Sequence, residues 1–518
     1  MTDVGAAVGA GAGAGAGTGA GAGASAGAGV PIGGAPVTAG GWPAAPEGAA
    51  SYDVVTASGT LRGSIEGELV RFRGVRYATA ERFEAPVAAP EWTGIREARA
   101  DGPMCPQPPF GLALLALPKR TPPMAEDCLF LNITIPRAAL GEGAPLRPVM
   151  VWIHGGAYVN GSGAGEIYDP ARLVADGDVI VVGLNYRLGV FGYVPLAPGE
   201  PEAGDAVPAN LGVLDQLAAL AWVKQNIAAF GGDPSTVTLF GQSAGADAIA
   251  QLLAIPEADG LFSRAILQSP PLGLDTAREV LAVELGANVV SALGQVHPRD
   301  ATVQQLLEAQ VRAGEGLHGD RLTSGMPYAP TPGVWPVPAK AERAERWARR
   351  APGVDVLIGY NRDDFSAFLE VVGALRRARA SRLLRPATEP LSAALTRRVF
   401  GAPSLALAGA FAAAGARVFT YRLDWRPMGT PWGACHCLEL PFFWADEEFW
   451  RGSPMLGGAV WADLEKTGLQ LRRSWAAFAR TGTPTPIGDP GHPEAEWPPY
   501  SSRRRVGSAI TLHPRYTV

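Results

Sequence analysis

The chain has 518 residues, 47% of them hydrophobic, with a formal net charge of −5. That is enough apolar material for one large α/β domain or several average ones. The mild acidity leaves no basic excess for nucleic acid or an anionic membrane surface, so a small neutral or mildly polar substrate is the expected partner.

Residues 4 to about 50 are dominated by Gly and Ala, with no charged residue between Asp3 and Glu47. Such a segment buries too little to offset its ordering entropy, and residues 1–50 are expected to be a disordered leader. It is a poor signal peptide, because no Lys or Arg precedes Arg62 and alternating Gly and Ala make a weak hydrophobic region. No later stretch reaches the ~18 uninterrupted apolar residues of a membrane span.

From Tyr52 the sequence changes to alternating β-type runs that predict an antiparallel N-terminal hairpin. Apolar strands separated by helical patterns follow: Pro148 to Ile153, Val179 to Leu184, a helix over Leu214 to Phe230, and a strand over Thr236 to Phe240. Helical segments continue at Asp275 to Leu293 and Ala301 to Ala313. Further strands are expected at Val354 to Gly359 and, as the last long one, Arg417 to Asp424. Alternation of strand and helix implies an α/β fold, a mostly parallel central sheet with helices on both faces, whose functional loops gather at the carboxyl ends of the strands.

One junction carries a chemical signature. Gly241-Gln242-Ser243-Ala244-Gly245 stands between the strand at Thr236 and an Ala-rich helix, and G-x-S-x-G there predicts a sharp strand-to-helix turn that lifts the Ser243 hydroxyl clear of the sheet. The helix start points free N–H groups and its positive dipole end at the same place, so the Ala244 N–H is a candidate oxyanion donor. A serine hydroxyl needs a base and the base needs an orienting partner.

These motifs and others in the same order resemble the type-B carboxylesterases of the α/β-hydrolase fold, the group that includes bacterial p-nitrobenzyl esterases and cholinesterases. Phe72 to Ala78 is similar to F-x-G-I-P-Y-A, Glu126 to Asn132 to E-D-C-L-x-L-N, and His154-Gly155-Gly156-Ala157-Tyr158 to H-G-G-[GA]-[FY]. Asn185-Tyr186-Arg187 and the segment before the elbow extend the likeness, which runs from about Tyr52 to Tyr500. The resemblance implies one hydrolase domain over residues 51–518, cleavage of a small-molecule carboxylic ester through an acyl-enzyme, no cofactor, and a monomer or homodimer.

The resemblance also assigns residues. His436 lies in ACHCLELPFF, similar to the family's catalytic-histidine segment, whereas His492 and His513 fall in a Pro- and Gly-rich loop and near the end of the chain. Gly359 to Phe365 aligns with G-x-N-x-D-E-G, putting Asp364 where a glutamate usually stands, with Asp363 and Glu370 as alternatives. The implied triad is Ser243, His436 and Asp364, and the implied oxyanion donors are the N–H groups of Gly156, Ala157 and Ala244. His154 is expected to brace the loop. Tyr158, Tyr193, Phe365, Phe368, Phe442, Phe443 and Trp444 are candidate pocket walls or core residues. The span from Asp364 to His436 is short for the family, which suggests trimmed helices and an open site.

The four cysteines form two local pairs. Cys105 and Cys128 match a pair that closes a loop in secreted relatives and are a candidate disulfide. Cys435-His436-Cys437 lacks a second Cys/His cluster to complete four tetrahedral ligands, so no metal is expected. The loop between Cys105 and Cys128 has no tryptophan, and Gln242 replaces the glutamate of cholinesterases, which argues against choline specificity. Hydrolysis of a carbamate or small amide by the same triad is the nearest alternative, and a non-catalytic cholinesterase-like binding protein the distant one. A cytoplasmic location is expected, with secretion as the alternative.

Overall fold

A computed structural model of the chain describes residues 50–109, 115, 120–196, 209–275, 278–317, 326–371, 373–381, 383–485 and 497–500, together with short strands at 38–39 and 509–512. Most of the Gly/Ala-rich leader, His492 and His513 lie outside the described residues.

Twelve strands form one sheet: β1 (Ser51–Val55), β2 (Thr60–Glu66), β3 (Leu69–Arg76), β4 (Ile95–Glu97), β5 (Phe130–Pro136), β6 (Arg147–Ile153), β7 (Ile180–Leu184), β8 (Gly232–Gln242), β9 (Arg264–Gln268), β10 (Asp355–Asn361), β11 (Val418–Leu423) and β12 (Ala509–Leu512). Their order is β12-β11-β10-β9-β8-β6-β7-β5-β3-β2-β1, with β4 beside β2. From β6 to β12 every pairing is parallel, while β1, β2, β3, β5 and β7 pair antiparallel in turn. The expected hairpin is thus part of a larger antiparallel wing, and the four-residue β12 adds a short strand beyond the last long one.

The central stretches of the parallel strands carry apolar residues on both faces because both faces are covered. Val149, Val151 and Ile153 of β6, with Val237 and Leu239 of β8, point into one core, and Met150, Trp152 and Phe240 into the other. The first core is closed by α2 (Leu211–Asn226), α3 (Ala244–Leu252), α4 (Arg278–Leu293) and α5 (Val303–Glu315), the second by α1 (Ala171–Gly177) and by α8 (Trp461–Thr481). Between β10 and α8 stand α6 (Arg385–Thr396) and α7 (Ala402–Ala413). Thr302 caps α5 through a capping box with Gln305.

The sheet positions the site through its strand order. From β6 the chain crosses to β7 on one side, then returns to place β8 on the other side of β6. At such a reversal the connections leave in opposite directions, and a crevice opens outside the carboxyl ends of the two strands. Ile153 pairs with Gly241 across that point, so His154-Gly155-Gly156 and Gln242-Ser243 emerge side by side.

Candidate active site

Ser243 joins β8 to α3 with φ 57° and ψ −125°, a conformation L-residues rarely adopt and one that costs on the order of 1–3 kcal/mol. Its N–H donates to the Gln268 carbonyl at 2.9 Å, and its own carbonyl accepts the first helical bond from Asp247 N–H, also 2.9 Å. The elbow is held from both ends, and the side chain remains partly exposed. The small neighbours are required by contact. A Cβ at Gly241 would stand 2.7 Å from the Gly245 carbonyl carbon, and one at Gly245 would overlap the Ile153 carbonyl oxygen. Helix α3 therefore lies directly on the end of β6.

His436 and Asp364 meet from two loops separated by 72 residues, with His436 Nδ1 2.9 Å from Asp364 Oδ1. Both are buried. The other carboxylate oxygen of Asp364 accepts the Asn361 N–H at 2.7 Å. This leaves Nε2 of the imidazole as the free acceptor, and among the described residues its hydrogen-bond partner is the Gln242 side-chain amide at 3.2 Å rather than the Ser243 hydroxyl. The Cys437 thiol donates to Gln242 Oε1 at 3.6 Å, which orients the amide with its N–H toward His436. Asp363 does different work. Its carboxylate binds the Arg426 guanidinium and the Ala434 N–H, tying the loop after β10 to the loop that carries His436.

The loop after β6 runs through three left-handed residues, Gly156 (φ 112°), Ala157 (φ 55°) and Tyr158 (φ 63°). The Gly156 carbonyl accepts from both Val159 and Asn160 at 3.0 Å, closing a tight turn. A Cβ on Gly155 would sit 3.2 Å from the Ser243 Cβ, so this loop packs against the nucleophile elbow. His154 is buried and its ring stacks on Tyr186 at 4.4 Å. Burial lowers its pKa to about 4, and its Nδ1 donates to the Gly155 carbonyl at 2.9 Å. A neutral ring wedged under the loop fits a brace. The Tyr186 hydroxyl completes the support by donating to the His154 carbonyl at 2.8 Å.

Two residues with no role assigned from the sequence join the cluster. The Asn361 side-chain amide donates to the Cys435 carbonyl at 2.8 Å and to the Glu439 carboxylate. Burial, then the Asp364 charge, pushes Glu439 up to about 7. Both stand three residues from a predicted triad member, inside the motifs quoted for them.

Of the two places open to the aromatic residues from the sequence, Tyr158, Tyr193, Phe442, Phe443 and Trp444 take the second and are buried in the two cores. Phe368 and Phe400 cover the imidazole instead, with ring centroids 5.0 and 5.2 Å from that of His436. Phe365 packs beside Phe368 at 5.4 Å. Two phenylalanines from the segment between Asp364 and His436 thus roof the histidine. Cys105 and Cys128 are buried thiols in contact with each other. Burial pushes the thiols of Cys435 and Cys437 up, and among the described residues no group of His, Cys, Asp and Glu is arranged to hold a metal.

Residues 50–387 match the carboxylesterase family. A probable N-octanoylanthranilate hydrolase of Rhodococcus erythropolis is 37% identical over 89% of this chain and 98% of its own length. The para-nitrobenzyl esterase of Bacillus subtilis is 34% identical over 89% of this chain and 95% of its own. Among solved structures, a Geobacillus stearothermophilus carboxylesterase superposes with a TM-score of 0.70 at 32% identity, covering 87% of this chain and 94% of that one.

Proposed function

Because the chain belongs to the carboxylesterase family and is a carboxylic-ester hydrolase, we propose that it cleaves its ester through an acyl-enzyme on Ser243, with His436 as base and Asp364 as orienting acid. The observation that carries this reading is the contact of His436 Nδ1 with Asp364 beside a serine held in a strained elbow. Asp364 fixes the tautomer whose Nε2 is unprotonated. When the Ser243 hydroxyl turns to Nε2 in place of the Gln242 amide, it gives up its proton and attacks the ester carbonyl carbon. The oxyanion is met by the N–H groups of Gly156, Ala157 and Ala244, the last at the positive end of α3. Collapse breaks the bond to the alkoxide, which leaves with the proton from His436, and water repeats the sequence to free the acid.

Replacing Ser243 with Ala removes one hydroxyl and no core volume. Turnover of a p-nitrophenyl ester is expected to fall by about 10⁴-fold or more with the fold intact. A folded Ser243→Ala protein that keeps most of its turnover overturns the mechanism.

A second reading, acyl transfer from an amide nitrogen by the same groups, is favoured by the relative named for N-octanoylanthranilate. Comparing kcat/KM for that compound and for p-nitrophenyl octanoate separates the two, and a p-nitrophenyl series of increasing acyl length defines the pocket. Among the described residues no helix is long and apolar enough to cross a membrane, consistent with a small substrate taken from water.

A further inference from the structure

Three buried polar side chains outside the reacting groups connect the two halves of the site. Tyr158 ends the left-handed run of the loop after β6, and its hydroxyl donates to Asp247 Oδ2 at 2.6 Å. Asp247 stands one turn after Ser243 on α3, bonded through its N–H to the Ser243 carbonyl. Its two carboxylate oxygens receive both terminal nitrogens of Arg278, the first residue of α4, at 3.0 and 3.1 Å. Tyr158 and Asp247 are fully buried and Arg278 is 4% exposed.

The ion pair is hard to explain by stability. Desolvating a carboxylate and a guanidinium offsets their attraction, and an apolar pair of the same volume is often as stable or more so. What charge supplies here is direction. Arg278 holds the Asp247 carboxylate in a fork, so one oxygen is presented to Tyr158 at a fixed place relative to the first turn of α3. Burial, then the Asp247 charge, pushes the Tyr158 phenol well above its ordinary range, so it remains a donor wherever an esterase works. On the other side, the Tyr158 carbonyl accepts from Gly189 N–H at 2.7 Å, so the loop is anchored before and behind the phenol. The bonds to the Gly156 carbonyl close the turn over Ala157 and Tyr158, and these anchors fix that turn to α3 and to the backbone at Gly189.

We propose that Tyr158, Asp247 and Arg278 are positioning residues for the oxyanion pocket: the Asp247–Arg278 pair holds Tyr158 so that the Gly156 and Ala157 N–H groups stay aimed at the point reached by the Ala244 N–H. The proposal rests on the acyl-enzyme reading. The brace touches no substrate atom and acts where the loop and the helix must keep register.

Tyr158→Phe keeps the ring and removes the bond. With a p-nitrophenyl ester, kcat is expected to fall about tenfold to a hundredfold, less than the loss of a whole donor, while KM stays within twofold. Affinity for a trifluoromethyl ketone, which becomes a tetrahedral adduct on Ser243, is expected to fall in parallel with kcat, whereas that for the unfluorinated methyl ketone, which stays planar, is unchanged. The double variant Asp247→Leu/Arg278→Met replaces the pair with apolar volume. It leaves the buried Tyr158 hydroxyl without its acceptor and takes one arginine from Asp275, so it is expected to melt lower than the parent and to show the same kinetic loss, with Tyr158→Phe adding nothing further to kcat on that background. A parent-like kcat in folded Tyr158→Phe, or an equal loss of affinity for both ketones, overturns the proposal. If the double variant does not fold, the single variant decides. Failure of the parent itself to bind the trifluoromethyl ketone more tightly than the methyl ketone counts instead against the nucleophile reading.

Discussion

Asp363 and Asp364 are adjacent in sequence but meet different partners, because the backbone after β10 turns between them. Asp364 faces the imidazole of His436, and Asp363 faces the guanidinium of Arg426. Asp364→Asn favours the wrong tautomer of His436, a change that costs ~10⁴-fold in kcat in the best-known triad. Asp363→Asn keeps one acceptor for the Ala434 N–H and is expected to lower kcat far less. Asp364→Glu adds a methylene where the carboxylate is already fixed between the Asn361 N–H and the imidazole, so it is expected to crowd His436 and slow turnover. Measuring kcat for the three folded variants on one activated ester tests this order, and a larger loss in Asp363→Asn contradicts it. The spacing of the motif identified this pair of carboxylates as candidates. It could not show that Asn361 reaches residues 74 and 78 positions further along to bind the Cys435 carbonyl and Glu439, because that depends on two loops meeting in space.

The elbow was legible as an element because its constraint is local: a strand can turn into a helix in so few residues only with small neighbours. Each predicted parallel strand has its counterpart, since an unbroken apolar run bounded by turns is what a sheet covered on both faces requires. The antiparallel wing was less legible. Turns such as the one at Gly67 are short, and alternation alone does not say how many strands follow one another. The short β12 carried no pattern long enough to read. The contact of α3 with β6 gives a test at this scale. Gly245→Ala sets a methyl group against the Ile153 carbonyl, rigid backbone on both sides, and is expected to cost about 3 kcal/mol or more and to displace Ser243. Gly67→Ala is left-handed too (φ 61°) but has open space around its Cβ, so only the conformational penalty of about 1–2 kcal/mol remains. Urea unfolding of the two variants should separate them clearly, and equal destabilisation would contradict the close approach of helix and strand.

For the whole molecule, two buried titratable groups give stability opposite pH dependences. Glu439 is held up at about 7 from an ordinary value of 4.5, so between those limits the folded chain keeps a proton that the unfolded chain releases. Its contribution is full below about pH 4.5 and is lost as pH rises through 7. His154 is held down at about 4 from 6.5, so its contribution is full above about pH 6.5 and is lost as pH falls toward 4. Replacing Glu439 with Gln keeps an acceptor for Asn361 and removes the first dependence. Relative to the parent, the variant should gain stability from pH 5 to pH 8, by at most about 3 kcal/mol. The same difference in urea midpoint at both pH values would contradict this. Neither group was legible as titrating, because only the packed fold supplies the burial that shifts it.

The sheet reversal at β6 brings these parts together, and the proposed acyl-enzyme requires Ser243 there to be an activated nucleophile. Brief treatment with a fluorophosphonate, followed by proteolysis and mass spectrometry, tests it most directly. One adduct is expected, on Ser243, formed in step with loss of esterase activity and absent from heat-unfolded protein. Labelling of another serine with the same kinetics, or full activity after stoichiometric labelling of Ser243, would contradict it.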